Sequence, residues 1–196
     1  MGHCYKYGTA RYAHTATLLN SGKVLITGGS GSSGALASSE IYDSSTGQWN
    51  TTASMARARD THAAILLNSG KVLINGGFGS HSELASSEIF DPSTGQWNYT
   101  ASMITARGTP TATLLNSVPV TGGFQSSFAS YGGSESVYIL ANSEIYDPST
   151  GEWDSSASMA TARYEYTATL LNSSKVLISG VYGSFGLLAS SEPYDP

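Results

Sequence analysis

The stretch that decides the fold is "RYAHTATLLNSGKVLITGG", residues 11–29. It returns as "RDTHAAILLNSGKVLINGG" at 59–77, shortened as "RGTPTATLLNSVPVTGG" at 107–123, and again as "RYEYTATLLNSSKVLISGV" at 163–181. Working outward, residues 10–55 and 58–103 agree at 34 of 46 positions. The leading Arg recurs at spacings of 48, 48 and 56, and a Trp closes the first three units at Trp49, Trp97 and Trp153. The third unit loses two residues near "NSVPVTGG" and gains ten in "GGFQSSFASYGGSESVYILANSE". Self-similarity at this period means one supersecondary unit copied several times, each burying its apolar face against the next.

Each unit reads as four short strands. "HTATLL" is apolar and β-branched and ends at the turn "NSGK". "KVLITGG" is a run of strand formers stopped by a Gly pair, and "SSEIYD" follows a Gly/Ser loop. "DPSTGQW" supplies Pro and Gly for a turn that leads into the fourth strand, "WNTTASM". No segment has a sustained helical period. Four strands in a unit of this length are the mark of a propeller blade.

The leading Arg, the pairs Gly28-Gly29, Gly76-Gly77 and Gly122-Gly123, the aromatics Tyr42, Phe90, Tyr146 and Tyr194, and the Trp seven residues later keep order and spacing. In these features the chain resembles the kelch repeat family over residues 10 to 196. The resemblance implies an all-β, kelch-like β-propeller of four four-stranded antiparallel blades. It makes residues 1–196 one domain, with repeats at about 10–57, 58–105, 106–161 and 162–196. Val181 departs from the pattern, replacing the second Gly of the pair. The fourth unit stops at "SSEPYDP", before its turn, Trp and last strand. Aligning Arg11 on Arg59 lays "HCYKY" at 3–7 over "TTASM" at 51–55, so the expectation is that the amino end completes the last blade.

Composition narrows the function. Charged residues make up 12% of the chain and the net charge is −5, which argues against a phosphate-binding surface and so against nucleic acid. Seven of the nine Lys and Arg residues recur from repeat to repeat instead of gathering in a patch. The single cysteine, Cys4, excludes an internal disulfide and a Cys-rich metal site. No apolar stretch approaches a membrane span, and no signal peptide is visible. Sequons at Asn50, Asn98 and Asn172, with the composition, lean towards an extracellular setting.

The first two copies differ at twelve positions, eight of them in two zones: 12, 13, 15 and 17, then 30, 33, 34 and 35. In an antiparallel hairpin the start of one strand lies beside the end of the next, so both zones open on one end of the blade. The ten-residue expansion falls there too, whereas "LLNSGK" and "DPSTGQ" at the other end hardly change. The variable end is therefore the expected binding face. Its candidates near the channel mouth are Tyr12, His14, Asp60, His62, Tyr164, Glu165 and Tyr166. Those on the loops are Phe78, His81, Phe124, Phe128, Tyr131, Tyr138, Tyr182 and Phe185. Aromatic residues with few charges suit protein, peptide or sugar contact.

Arg11, Arg59, Arg107 and Arg163 and the recurrent Glu40, Glu88, Glu144 and Glu192 admit two readings. One is ion pairing between blades. The other, implied by the resemblance, is an Arg ring for acidic peptides, since guanidinium suits bidentate carboxylate contact. His14, His62 and Tyr166 occupy one repeat position, which suggests the copper ligands of galactose oxidase, a kelch-type enzyme. No second Tyr-His pair accompanies them, and no catalytic constellation, metal site or cofactor is expected. The reading is a non-catalytic scaffold for protein or peptide partners, with glycan and dimerisation as further partner classes. The alternative is a galactose-oxidase-like copper enzyme or another propeller enzyme.

Overall fold

The turn "NSGK" does what its residues dictate. In the computed structural model, which describes residues 8–114, 118–127, 136–184 and 186–195, Gly22 takes φ +79. Its N–H donates to the Leu19 carbonyl at 2.9 Å, and the Leu19 N–H donates to the Lys23 carbonyl at 2.8 Å. This joins β1 (Thr15–Leu18) to β2 (Val24–Thr27) in antiparallel register, Leu18 opposite Val24. The Gly/Ser loop that follows carries a small hairpin, β3 (Ser30–Gly31) with β4 (Gly34–Ala35). The chain then returns as β5 (Ser39–Asp43) and β6 (Gln48–Thr51), giving the sheet order β1-β2-β5-β6.

The second unit repeats this as β7 (Ala63–Leu66), β8 (Val72–Asn75), β9 (Ser87–Asp91) and β10 (Gln96–Tyr99). The third has β11 (Thr111–Ala112), β12 (Val118–Thr121), β15 (Ser143–Asp147) and β16 (Glu152–Ser156). Its expanded loop holds a hairpin, β13 (Phe124–Ser127) with β14 (Ser136–Ile139). The fourth has β17 (Thr167–Leu170), β18 (Val176–Ser179) and β21 (Ser191–Tyr194), with β19 (Tyr182–Gly183) and β20 (Gly186–Leu187) as its loop hairpin. All the described sheet structure is antiparallel, with no helix among the described residues.

One strand boundary differs from the sequence reading. The fourth strand of the first unit ends at Thr51, and residues 52–55 cross to the neighbouring sheet. Thr52 Oγ1 donates to the Gly95 carbonyl at 3.1 Å, and Met55 drops into the core with 4% of its surface exposed. The β-branched pair Thr51-Thr52 has strand propensity, but contact with the next sheet overrides it. Segment 3–7, expected to close the fourth unit, lies outside the described residues.

The first strands neighbour one another in chain order, β1 beside β7, β7 beside β11 and β11 beside β17. A hydrophobic cluster fills each seam. Leu19, Leu25, Val72, Ile74 and Phe90 fill the first, and Leu67, Leu73, Tyr146 and Trp153 the second. Met159, Tyr166, Val176, Ile178 and Tyr194 fill the third. Leu25, Val72, Leu73, Ile74 and Phe90 are 0% exposed, each side chain contributing about 1.5–3 kcal/mol by leaving water. The Trp clamps are hydrogen-bonded across the seams: Trp97 Nε1 donates to the Ala53 carbonyl and Trp153 Nε1 to that of Ala101, both at 3.0 Å. Each also packs on its own sheet's aromatic, Phe90–Trp97 and Tyr146–Trp153 both at 5.1 Å between ring centres.

Candidate functional site

The leading Arg of every unit turns inward. The side chains of Arg11, Arg59, Arg107 and Arg163 are 0–1% exposed. Arg59 Nη1 donates to the carbonyls of Gly76 and Ser86, both at 2.9 Å, and Nη2 reaches Glu88 Oε1 at 3.1 Å. Arg107 does the same with Gly122, Asn142 and Glu144, and Arg11 with Gly28, Ser38 and Glu40. The carboxylates have a second duty. Glu88 accepts from the Ala56 and Arg57 N–H groups, and Glu144 from those of Ile104 and Thr105. Each pair thus ties the segment entering a sheet to that sheet's own third strand. The guanidinium groups point away from solvent, so the four arginines are not surface contacts.

The next two residues reverse the chain's direction. Ala13, Thr61, Thr109 and Glu165 occupy one repeat position, and all four are left-handed, with φ of +51, +46, +46 and +53. Left-handed backbone is a genuine outlier for a β-branched residue such as Thr. It lets the Arg point inward while its successor points out. Tyr12 is 69% exposed and exchanges two backbone hydrogen bonds with Ser30, at 3.0 and 2.8 Å. Asp60 pairs in the same way with Phe78, and Tyr164 with Tyr182. The Tyr164 and Tyr182 rings stack at 5.3 Å with 19° between their planes. The start of the first strand and the end of the second therefore do lie side by side.

The following position packs against the Gly pair of the preceding unit. A Cβ on Gly28 would stand 2.5 Å from the Arg59 carbonyl and 2.7 Å from His62 Cε1. Gly76 is hemmed in likewise by the Arg107 carbonyl and Pro110, and Gly122 by the Arg163 carbonyl and Tyr166. Glycine is required there by close approach as well as by positive φ. His62 is 5% exposed and Tyr166 4%, so both leave the surface set. His62 Nε2 lies 2.8 Å from Thr15 Oγ1 of the first sheet. Burial, then Arg59, then His14, push the His62 pKa down to about 3. His14 is half-buried, its pKa lowered by burial and by Arg11. Among the described residues no group of three or more His, Cys, Asp or Glu is placed to hold a metal ion. Cys4 lies outside them.

Of the loop candidates, Phe78 lies half-buried over Gly108, where a Cβ would stand 2.6 Å from the Phe78 ring. Tyr138 on β14 is 59% exposed, and Glu165 and His81 are exposed. The side chain of Phe124 and all of Phe128, Tyr131 and Phe185 lie outside the described residues. His81 lines a cleft of about 240 Å³ with Arg57, Ser80 and Ser82. Sequence reasoning missed Arg57. The signal was available, because Thr9, Thr105 and Thr161 hold the equivalent positions and Arg57 breaks the repeat.

The opposite end of the sheets repeats one ion pair in the first, second and fourth units. Lys23 pairs with Asp43 and Lys71 with Asp91 at 3.0 Å, and Lys175 with Asp195 at 3.1 Å. The Ser93 hydroxyl, then Lys71, then the Ser93 N–H hold the Asp91 pKa down at about 2, and Asp43 is held there likewise by Ser45 and Lys23.

Antiparallel four-stranded units joined seam to seam through a buried Arg, a Gly pair and a Trp define a class of repeat protein. The family model of the Kelch motif matches residues 11–56 and 61–104, so the first two units are kelch repeats. No curated protein matches it. Kelch repeats generally mediate protein binding, and proteins built from them are mostly non-enzymatic scaffolds.

Proposed function

We propose that the chain is one kelch-type β-propeller domain that binds protein or peptide partners at the end of its sheets where the repeats differ. The observation that carries this reading is the asymmetry of the two ends. Residues that vary between copies meet in pairs at one end, Tyr12 with Ser30, Asp60 with Phe78 and Tyr164 with Tyr182. The other end repeats the same Lys–Asp pair in the first, second and fourth units. Tolerance of loops to change does not account for this, because both ends are loops. The contact set is Tyr12, Asp60, His81, Tyr138, Tyr164, Glu165 and Tyr182, to which Arg57 is added. Tyrosines offer large contact area at low entropic cost, and the Arg57–His81 cleft suits an acidic side chain of a bound peptide. The propeller arrangement is supported by the serial contact of the first strands.

A displayed random-peptide library, panned on the chain, tests this. Enriched peptides should lose binding to a Tyr12→Ala, Tyr164→Ala double variant and keep it with Lys23→Ala, Lys71→Ala. The reverse pattern would move the site to the Lys–Asp end. Enrichment on a glycan array in place of peptides would make the tyrosines a sugar platform.

A further inference from the structure

Among the described residues every Lys and Arg but one has a carboxylate. Arg11, Arg59, Arg107 and Arg163 pair with glutamates, and Lys23, Lys71 and Lys175 with aspartates. Arg57 is the exception, and its side chain is exposed.

The cleft that Arg57 lines is a built one. Residues 56–58 form one wall, and residues 79–82 with Leu84 the other, around about 240 Å³. Main-chain hydrogen bonds hold both walls. The Ala56 and Arg57 N–H groups donate to the Glu88 carboxylate at 2.7 and 3.1 Å. Across the cleft the Gly79 N–H donates to the Ser82 carbonyl at 2.9 Å, and the Leu84 N–H to that of Gly77 at 2.8 Å. The far wall thus presents the His81 imidazole and the Ser80 and Ser82 hydroxyls opposite the guanidinium. No carboxylate lines the cleft among the described residues. Glu83, next in the chain, is 6% exposed and turns to the third unit, where a Cβ on Gly108 would stand 3.3 Å from its Cγ.

Both walls depart from the repeat in the same unit. Arg57 stands where the other units have Thr9, Thr105 and Thr161, and His81 and Ser82 replace Ser33 and Gly34 of the first. One wall gains a cation, the other an imidazole and a hydroxyl. The two changes lie 24 residues apart in sequence and face each other only in the folded chain.

We propose that this cleft reads a phosphorylated side chain of the peptide bound at the variable end. A carboxylate meets a guanidinium fork with both its oxygens, which leaves the imidazole and the hydroxyls opposite with nothing to bind. A phosphate monoester carries three terminal oxygens in a tetrahedron, so two take the fork and the third faces the far wall. One such cleft in a chain of net charge −5 suits a single phosphate and not a nucleic-acid backbone. The inference rests on the scaffold reading for its peptide and on Arg57 and His81 for its phosphate.

Retention of the chain on a degenerate peptide library with one fixed phosphoserine or phosphotyrosine tests this, beside the same library with serine or glutamate at that place. A phosphorylated pool should hold the chain about tenfold more strongly than either of the others. Arg57→Thr puts the residue of the other three units at an exposed position, so it should fold as before and remove that excess. His81→Ser should reduce it. Retention on the serine pool, which rests on the tyrosines, should be the same for both variants as for the parent chain. Equal retention on the glutamate and phosphorylated pools overturns the proposal, as does an excess that survives Arg57→Thr. Tighter retention on a single-stranded oligonucleotide overturns it in favour of nucleic acid. If no pool holds the chain, the scaffold reading has failed, and the peptide source with it. The Arg57 Nε–H resonance then decides the cleft: unmoved by inorganic phosphate, it overturns the phosphate site too.

Discussion

The second and fourth units are written in nearly the same words and live in different surroundings. "RDTHAAILLNSGKVLINGG" has a sheet before it and a sheet after it, while "RYEYTATLLNSSKVLISGV" has a seam on one side among the described residues. The backward-facing residues fare alike, Val72 at 0% and Val176 at 1% exposed. The forward-facing ones do not, since Leu73 is fully buried and Leu177 only half. The second Gly survives as Gly77 and is lost as Val181. What a motif residue is for depends less on its own strand than on whether a neighbour arrives.

Three measurements sharpen or break this contrast. The largest effect belongs to Glu88→Ala, which leaves buried Arg59 without its counter-charge and two N–H groups without an acceptor. It should cost about 3–5 kcal/mol in urea unfolding. Glu192→Ala should cost clearly less, because that carboxylate is already 18% exposed. Equal losses would show that the pair is indifferent to its surroundings. Next, Gly76→Ala should cost about 3 kcal/mol, from φ +64 together with a clash on the Arg107 carbonyl. Gly180→Ala, at φ +71 with nothing within 4 Å among the described residues, should cost about 1 kcal/mol. Matching melting temperatures would remove the seam from the explanation.

The third measurement is a pH dependence. His62 folds as the neutral ring, its pKa about 3 against 6.5 when unfolded. Its contribution is whole above pH 6.5 and is lost as pH falls from there towards 3, by about 2 kcal/mol at pH 5. The groups facing it are Arg59 and His14, both of which disfavour the charged ring. His62→Gln should flatten the stability profile between pH 7 and 5, and an unchanged slope would place the acid sensitivity elsewhere.

The repeat, the strand count and the paired zones could be read from the sequence because they rest on period and turn chemistry, both local. The role of the arginines could not. Recurrence is common to a structural ion pair and a ligand-binding ring, and only burial tells them apart. His62 and Tyr166 looked like channel-mouth chemistry because nothing local shows that the preceding unit's Gly pair leaves a space they fill. The left-handed position was silent for another reason. Ala, Thr, Thr and Glu carry no signature of positive φ, which is imposed by the buried Arg on one side and the first strand on the other.

That position also bears on how such a chain can diversify. The backbone turns by nearly the same angle whether the residue is Ala13, Thr61, Thr109 or Glu165. Four sockets, equivalent by repetition, thus accept a methyl, a hydroxyl or a carboxylate without altering the seams beneath them. Copying a unit multiplies the socket, and point changes can then give each copy its own chemistry while the scaffold stays the same.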